Sequence, residues 1–137
     1  LVDAPCSGTG TICKSLKTIT MWNPSMVERL STQQQRLLEN AWLLLKPHGT
    51  LVYSTCTLEP QENERVINTF LENHNDAIID EIKPQELPGL KRSTPVQEFE
   101  GKKYTERVKN CIRIWPQDNY TEGFFIARVT KKRQSTA

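Results

Sequence analysis

Residues 50–60, TLVYSTCTLEP, change character at one cysteine. Leu51, Val52 and Tyr53 form a short apolar, β-prone run between Pro47-Gly49 upstream and Glu59-Pro60 downstream, which predicts a buried strand. Cys56 follows just past its carboxyl end. Ligands of open α/β sheets sit in the crevice outside those ends, so a thiol there faces a site rather than a core. The chain opens with a second copy of the arrangement. Leu1-Val2 ends an apolar strand, Asp3 lies at its tip, and Pro5-Cys6-Ser7-Gly8 forms the following turn. Cys6 and Cys56 are therefore expected to face each other across one crevice.

The segments between and after them have the periodicities of an α/β fold. Asn23-Pro24 marks a helix start, as cap and first helical residue. Ser31 with Gln34 marks a second start as a capping box, followed by an apolar stripe of Leu37, Leu38, Ala41, Trp42, Leu44 and Leu45. Pro47 and Gly49 stop that helix, which with the strand at Leu51 completes a right-handed crossover from the first strand. Trp42 is assigned to core packing. Residues 59–64, EPQENE, place acids in the first turn of a further helix, whose apolar face is Val66, Ile67, Phe70 and Leu71. Residues 77–82 predict a short strand, and 83–103, with Pro84, Pro88 and Pro95, a surface loop near the site. Residues 113–115 and 124–129 predict two strands joined by a polar turn, an antiparallel pair at the sheet edge. Residues 130–137 read as a frayed basic tail on a single domain spanning 1–137.

Composition narrows the functional classes. The 137 residues are 36% hydrophobic and 25% charged, which suits one globular domain. No apolar run approaches the ~20 residues of a spanning helix, and no signal-peptide pattern is present at the amino end. Four cysteines without disulfide-scaffold spacing indicate free thiols in a reducing cytoplasm. Residues 1–82 carry a net charge of −4 and residues 83–137 of +6, within an overall +2. A basic second half suits a phosphate-bearing partner, although a solvated basic face would look the same.

Several chemistries can be set aside. Residues 8–15, GTGTICKS, nearly spell a phosphate loop, but Cys13 stands where the glycine before Lys-Ser is required. The cysteines show no metal-type spacing, and neither His48 nor His74 is placed to complete a zinc site. His48 lies before the strand that delivers Cys56, roughly 20 Å away at ~3.3 Å per residue, which excludes a Cys-His dyad. What remains is a thiolate that adds to an electrophilic ring. Cys13 and Cys111 are read as buried or incidental thiols.

LVDAPCSGTG, the run LSTQQQRLLENAWLLLKPHGTLVYSTCTLEPQENE and RIWPQDNYTEGFFIARV together resemble the catalytic domain of the Sun/Fmu family of RNA cytosine-5 methyltransferases, over nearly the whole chain. The resemblance implies a Rossmann-like methyltransferase sheet, of which this chain would carry the fourth to seventh strands. It implies a methyl group passing from S-adenosylmethionine to carbon 5 of a cytosine in ribosomal or transfer RNA. It further implies Cys56 as the nucleophile, Cys6 as the residue assisting product release, and Asp3 as a contact to the cofactor and the reacting site. On the residues alone, Asp3 can bond the cytosine edge or the cofactor. DNA cytosine-5 methyltransferases instead use a Pro-Cys dipeptide matching Pro5-Cys6, so local inspection selects Cys6; the Thr55-Cys56 strand end favours the RNA family's assignment. Lys91, Arg92, Lys102 and Lys103 are candidate RNA contacts near an unstacked base. The family usually has His where this chain has Gln117, which leaves that turn without an inferred role. The family's glycine-rich cofactor loop has no counterpart here, so the chain reads as part of a longer catalytic domain, expected to bind cofactor weakly and to be inactive alone. The alternative function is a non-catalytic RNA-binding remnant of the same fold.

Overall fold

The computed structural model describes residues 1–132. The centre of its sheet is a strand that comes late in the chain. In β7 (Phe124–Lys131) Phe125, Ala127 and Val129 are buried and their neighbours half-buried, the two-residue period of a strand with one face in a core. β2 (Thr50–Thr55) runs antiparallel along one edge of β7 and buries Leu51, Tyr53 and Thr55. β1 (Val2–Asp3) lies parallel beyond β2, with Val2 opposite Tyr53 and Asp3 opposite Ser54. On the other edge of β7, β6 (Ile112–Ile114) pairs with its first half and β3 (Ala77–Asp80) with its last. The order is β1-β2-β7-β3 with β6 beside β7. The expected antiparallel pair is thus present, with β6 at the rim and β7 inside the sheet.

Two helices cover the buried face. α2 (Pro24–Leu44) starts where Asn23 Oδ1 accepts the Met26 amide at 2.8 Å, with Pro24 in the first turn. Its buried residues Val27, Ser31, Gln34, Leu38 and Trp42 recur every three or four positions. The capping box expected at Ser31 is therefore corrected. The helix is already capped eight residues earlier, and Ser31 points inward to donate to the Gln61 carbonyl at 2.7 Å. Trp42 packs edge-on against Phe70, ring centroids 5.1 Å apart, as core. Lys131 caps the far end of α2 by donating to the Trp42 and Leu45 carbonyls at 2.9 and 3.1 Å. Thr130 and Lys131 accordingly belong to β7 rather than to a tail, while residues 133–137 lie outside the described residues.

α3 (Glu64–Asn73) buries Val66, Ile67, Phe70 and Leu71 as its pattern predicts. Its acids do not behave as a solvated first turn. Glu62 precedes the helix and both it and Glu64 are fully buried. Glu64 forms a two-pronged ion pair with Arg113 of β6, at 2.5 and 2.9 Å, and also accepts the Val96 amide at 2.9 Å. α1 (Lys17–Met21) is a short exposed helix. The 83–103 stretch is more ordered than its prolines suggest, with a 3-10 turn at Pro84–Glu86 and a hairpin of β4 (Glu98–Phe99) and β5 (Lys102–Lys103). The polar turn before β7 begins with a single helical turn, α4 (Pro116–Asn119).

Candidate active site

Because β1 and β2 are parallel neighbours, their carboxyl ends come out side by side. The Ala4 amide donates to the Ser54 carbonyl at 2.9 Å, carrying the pairing one residue past β1. The two turns that follow bring Cys6 Sγ and Cys56 Sγ to 3.3 Å, both half-buried. A third segment joins them. The Gly10 amide donates to the Cys56 carbonyl at 3.0 Å, and the Gly123 amide to the Gly10 carbonyl at 2.9 Å. The approach is close enough to require glycine. A Cβ on Gly10 would lie 2.4 Å from the Cys56 carbonyl oxygen and 2.9 Å from Gly123 Cα.

The contact splits the proton affinities of the two sulfurs. Hydrogen bonding from the Cys6 thiol is the largest influence on Cys56 and lowers it to about 7, against burial and the negative charges of Glu122 and Asp3. Cys6 moves the other way, held protonated chiefly by its bond to Cys56 and by burial. Once the pair has lost one proton, the remaining proton therefore resides on Cys6 and the negative charge on Cys56. Asp3 is exposed, and its Oδ1 accepts the Ser54 hydroxyl at 2.9 Å.

Behind the sulfurs lies a polar network that the sequence reading missed. Ser7, Thr9, Thr57, Glu62 and Gln34 are buried together and hydrogen-bonded. The acids of EPQENE look locally like dipole partners at a helix start, and only the tertiary fold turns Glu62 inward. Its one local signal was position, six residues after a strand-end thiol.

The other candidates separate. Lys91 and Lys103 are exposed, and Lys102 lies 3.6 Å from Glu72. Arg92 is half-buried and donates to the Ile82 carbonyl. Cys111 is buried, which pushes its thiol up, and Cys13 is exposed. Lys14, of the near phosphate loop, pairs with Glu122 at 3.0 Å. His48 is at the amino end of β2 and His74 bonds Glu39 at 2.7 Å, neither beside the sulfurs. No group of three metal-ligating side chains occurs among the described residues.

The family described as 16S rRNA methyltransferase RsmB/F matches residues 1–130. The tRNA (cytosine(49)-C(5))-methyltransferase of Pyrococcus abyssi (strain GE5 / Orsay) is 49% identical over 133 residues, covering 97% of this chain and 41% of that protein. The ribosomal RNA small subunit methyltransferase F of Shewanella sp. (strain ANA-3) is 38% identical over 133 residues, covering 97% of this chain and 25% of that protein. A crystal structure of a methyltransferase homolog protein from Pyrococcus horikoshii superposes with a TM-score of 0.72 at 38% identity, over 95% of this chain and 37% of that one. Strand order and these likenesses place the fold among the Rossmann-like methyltransferase sheets. The chain belongs to the 16S rRNA methyltransferase RsmB/F family. It spans about two fifths of the archaeal relative and a quarter of the bacterial one.

Proposed function

We propose that the protein containing this chain methylates carbon 5 of a cytosine in RNA, with Cys56 as the nucleophile and Cys6 as the base that releases the product. The observation that carries this reading is the 3.3 Å contact between two sulfurs of opposed proton affinity. Carbon 5 of cytosine is a weak nucleophile. The Cys56 thiolate adds to carbon 6, forming a carbon–sulfur bond and moving an electron pair toward carbon 5, which can then take a methyl group. S-adenosylmethionine, when bound, supplies that methyl group in electrophilic form.

Release needs the carbon 5 proton removed and the carbon–sulfur pair returned to Cys56. Cys6 holds its proton mainly because of the Cys56 sulfur beside it. Once that sulfur's lone pair lies in a bond to carbon, the largest of those causes is gone while burial still opposes ionisation, so the Cys6 proton passes to solvent more readily than in the resting pair. Its thiolate then accepts the carbon 5 proton as Cys56 leaves. Each sulfur ends in its starting state. The exposed Asp3 carboxylate beside the pair fits a cationic cofactor, and we assign it that contact. Lys91, Lys102 and Lys103 are proposed RNA contacts; the substrate must offer its cytosine unstacked.

Full-length protein mixed with 5-fluorocytosine RNA tests the reading, since fluorine at carbon 5 blocks release. A covalent complex is expected with the native protein and none with Cys56→Ala. With ordinary RNA, Cys6→Ala is expected to form the adduct more slowly and then retain it. Loss of the adduct in Cys6→Ala with its survival in Cys56→Ala would reverse the two roles. Salt-sensitive binding without any adduct would identify a non-catalytic RNA-binding remnant. Transfer and ribosomal RNA both belong in the assay, because the relatives' names include one of each.

A further inference from the structure

Glu62 is fully buried, and no ion pair among the described residues includes it. Four donors from three segments converge on its carboxylate instead. Oε1 accepts the Ser7 amide and Gln34 Nε2, both at 2.9 Å, and Oε2 accepts the Ser7 hydroxyl at 2.5 Å and the Thr57 hydroxyl at 3.1 Å. The Leu58 N–H donates to Thr9 Oγ1 at 2.9 Å, and the Thr9 and Thr57 hydroxyls share a hydrogen bond at 3.0 Å. The donors all point toward one anion, the arrangement that offsets removing a carboxylate from water.

Ser7 adjoins Cys6 and Thr57 adjoins Cys56, and the two hydroxyls are themselves 2.8 Å apart. The carboxylate thus ties the two cysteine turns together directly behind the sulfurs. No step of the reaction uses it. We infer that Glu62 is a positioning residue that sets the separation of the Cys6 and Cys56 sulfurs, acting through Ser7 and Thr57. The inference leans on the methyltransferase reading for its catalytic consequence alone; the thiol contact can be measured without methyl transfer.

The test uses the full-length protein with iodoacetamide, following carboxamidomethylation of Cys56 by peptide mass spectrometry across a pH series. Glu62→Gln keeps the volume but turns an amide against donors. At neutral pH it is expected to slow Cys56 alkylation about tenfold, with the pH profile moved upward, because the Cys6 thiol no longer reaches the Cys56 sulfur. In a Cys6→Ala background the same substitution is expected to add nothing, since its effect passes through the missing sulfur. An unchanged profile in Glu62→Gln, or equal slowing in both backgrounds, overturns the inference. If circular dichroism shows Glu62→Gln unfolded, Ser7→Ala and Thr57→Val each remove one hydroxyl and carry the same comparison: slowing that depends on Cys6 supports it, and no slowing overturns it. Full-length protein with coupled thiols and no RNA adduct would remove the proposed reaction and leave Glu62's role standing.

Discussion

Two sulfurs in contact do not ionise alike: the thiolate left by the first proton accepts a hydrogen bond from the thiol that remains, and the second proton must leave against that charge. Cys56 is the sulfur that ionises first, lowered to about 7 from an ordinary 9.0, because the thiol bonded to it favours the anion more than burial and the charges of Glu122 and Asp3 oppose it. The thiolate is the reactive form, so alkylation of Cys56 should rise as pH increases through about 7 and then level, while Cys6 stays unmodified. Cys6→Ala removes the largest stabilising contact and should move the midpoint upward, toward 9.0. Peptide-resolved alkylation rates check both. That the two sulfurs meet was legible in the sequence, because Cys6 follows one short strand by three residues, Cys56 follows another by one, and parallel strands align their ends. That Glu62 supports them was not. A glutamate after Glu59-Pro60-Gln61 satisfies a local rule for helix starts, and no local rule reports a partner fifty-five positions away at Ser7.

Elements here are held by buried polar contacts as well as by apolar packing. Arg113 and Glu64 join β6 to α3 with both side chains almost wholly excluded from water, at 2% and 0% exposure. Removing one partner of such a pair strands a charge, so Arg113→Met should cost about 3–5 kcal/mol in denaturant unfolding. Adding Glu64→Gln should recover part of it, since the amide is neutral and still accepts from Val96. Most of the apolar half of this architecture could be read directly: Leu51 and Tyr53 in β2, Leu38 and Trp42 of α2, and Val66, Ile67, Phe70 and Leu71 of α3 face inward, whereas Leu37 and Leu44 of the expected α2 stripe are exposed. The polar half could not. Ser31 and Gln34 have the spacing of a capping box, yet both lie inside α2 and bond across to Gln61, Pro5 and Glu62.

For the molecule as a whole, part of the basic excess in the second half of the sequence is taken up within the fold. Four of the basic side chains after residue 82 are engaged with other parts of the chain: Arg107 donates to the Leu71 and Ala77 carbonyls, Arg113 to Glu64, Arg128 to Glu86 and Lys131 to the end of α2. Lys91 and Lys103 are the exposed members of the proposed RNA set without an ion pair among the described residues. Each lysine changed to alanine in the full-length protein should weaken RNA binding across sequences and lower the slope of log affinity against log salt by about 0.7 to 0.9. Arg92→Ala should instead lower thermal stability and leave that slope unchanged, which titrations at several salt concentrations would show. S-adenosylmethionine should bind the 137-residue chain weakly in calorimetry, because Asp3 is the one cofactor contact proposed on it. Tight binding would mean the remaining contacts lie within these residues.

β7 follows β2, β3 and β6 in the chain and is the strand that touches all three. Until it is synthesised those three have no common neighbour, and the two cysteine turns lack the Gly123 segment that closes over Gly10. The contact between the Cys6 and Cys56 turns is therefore braced from this side only once the residues from Gly123 onward have been made.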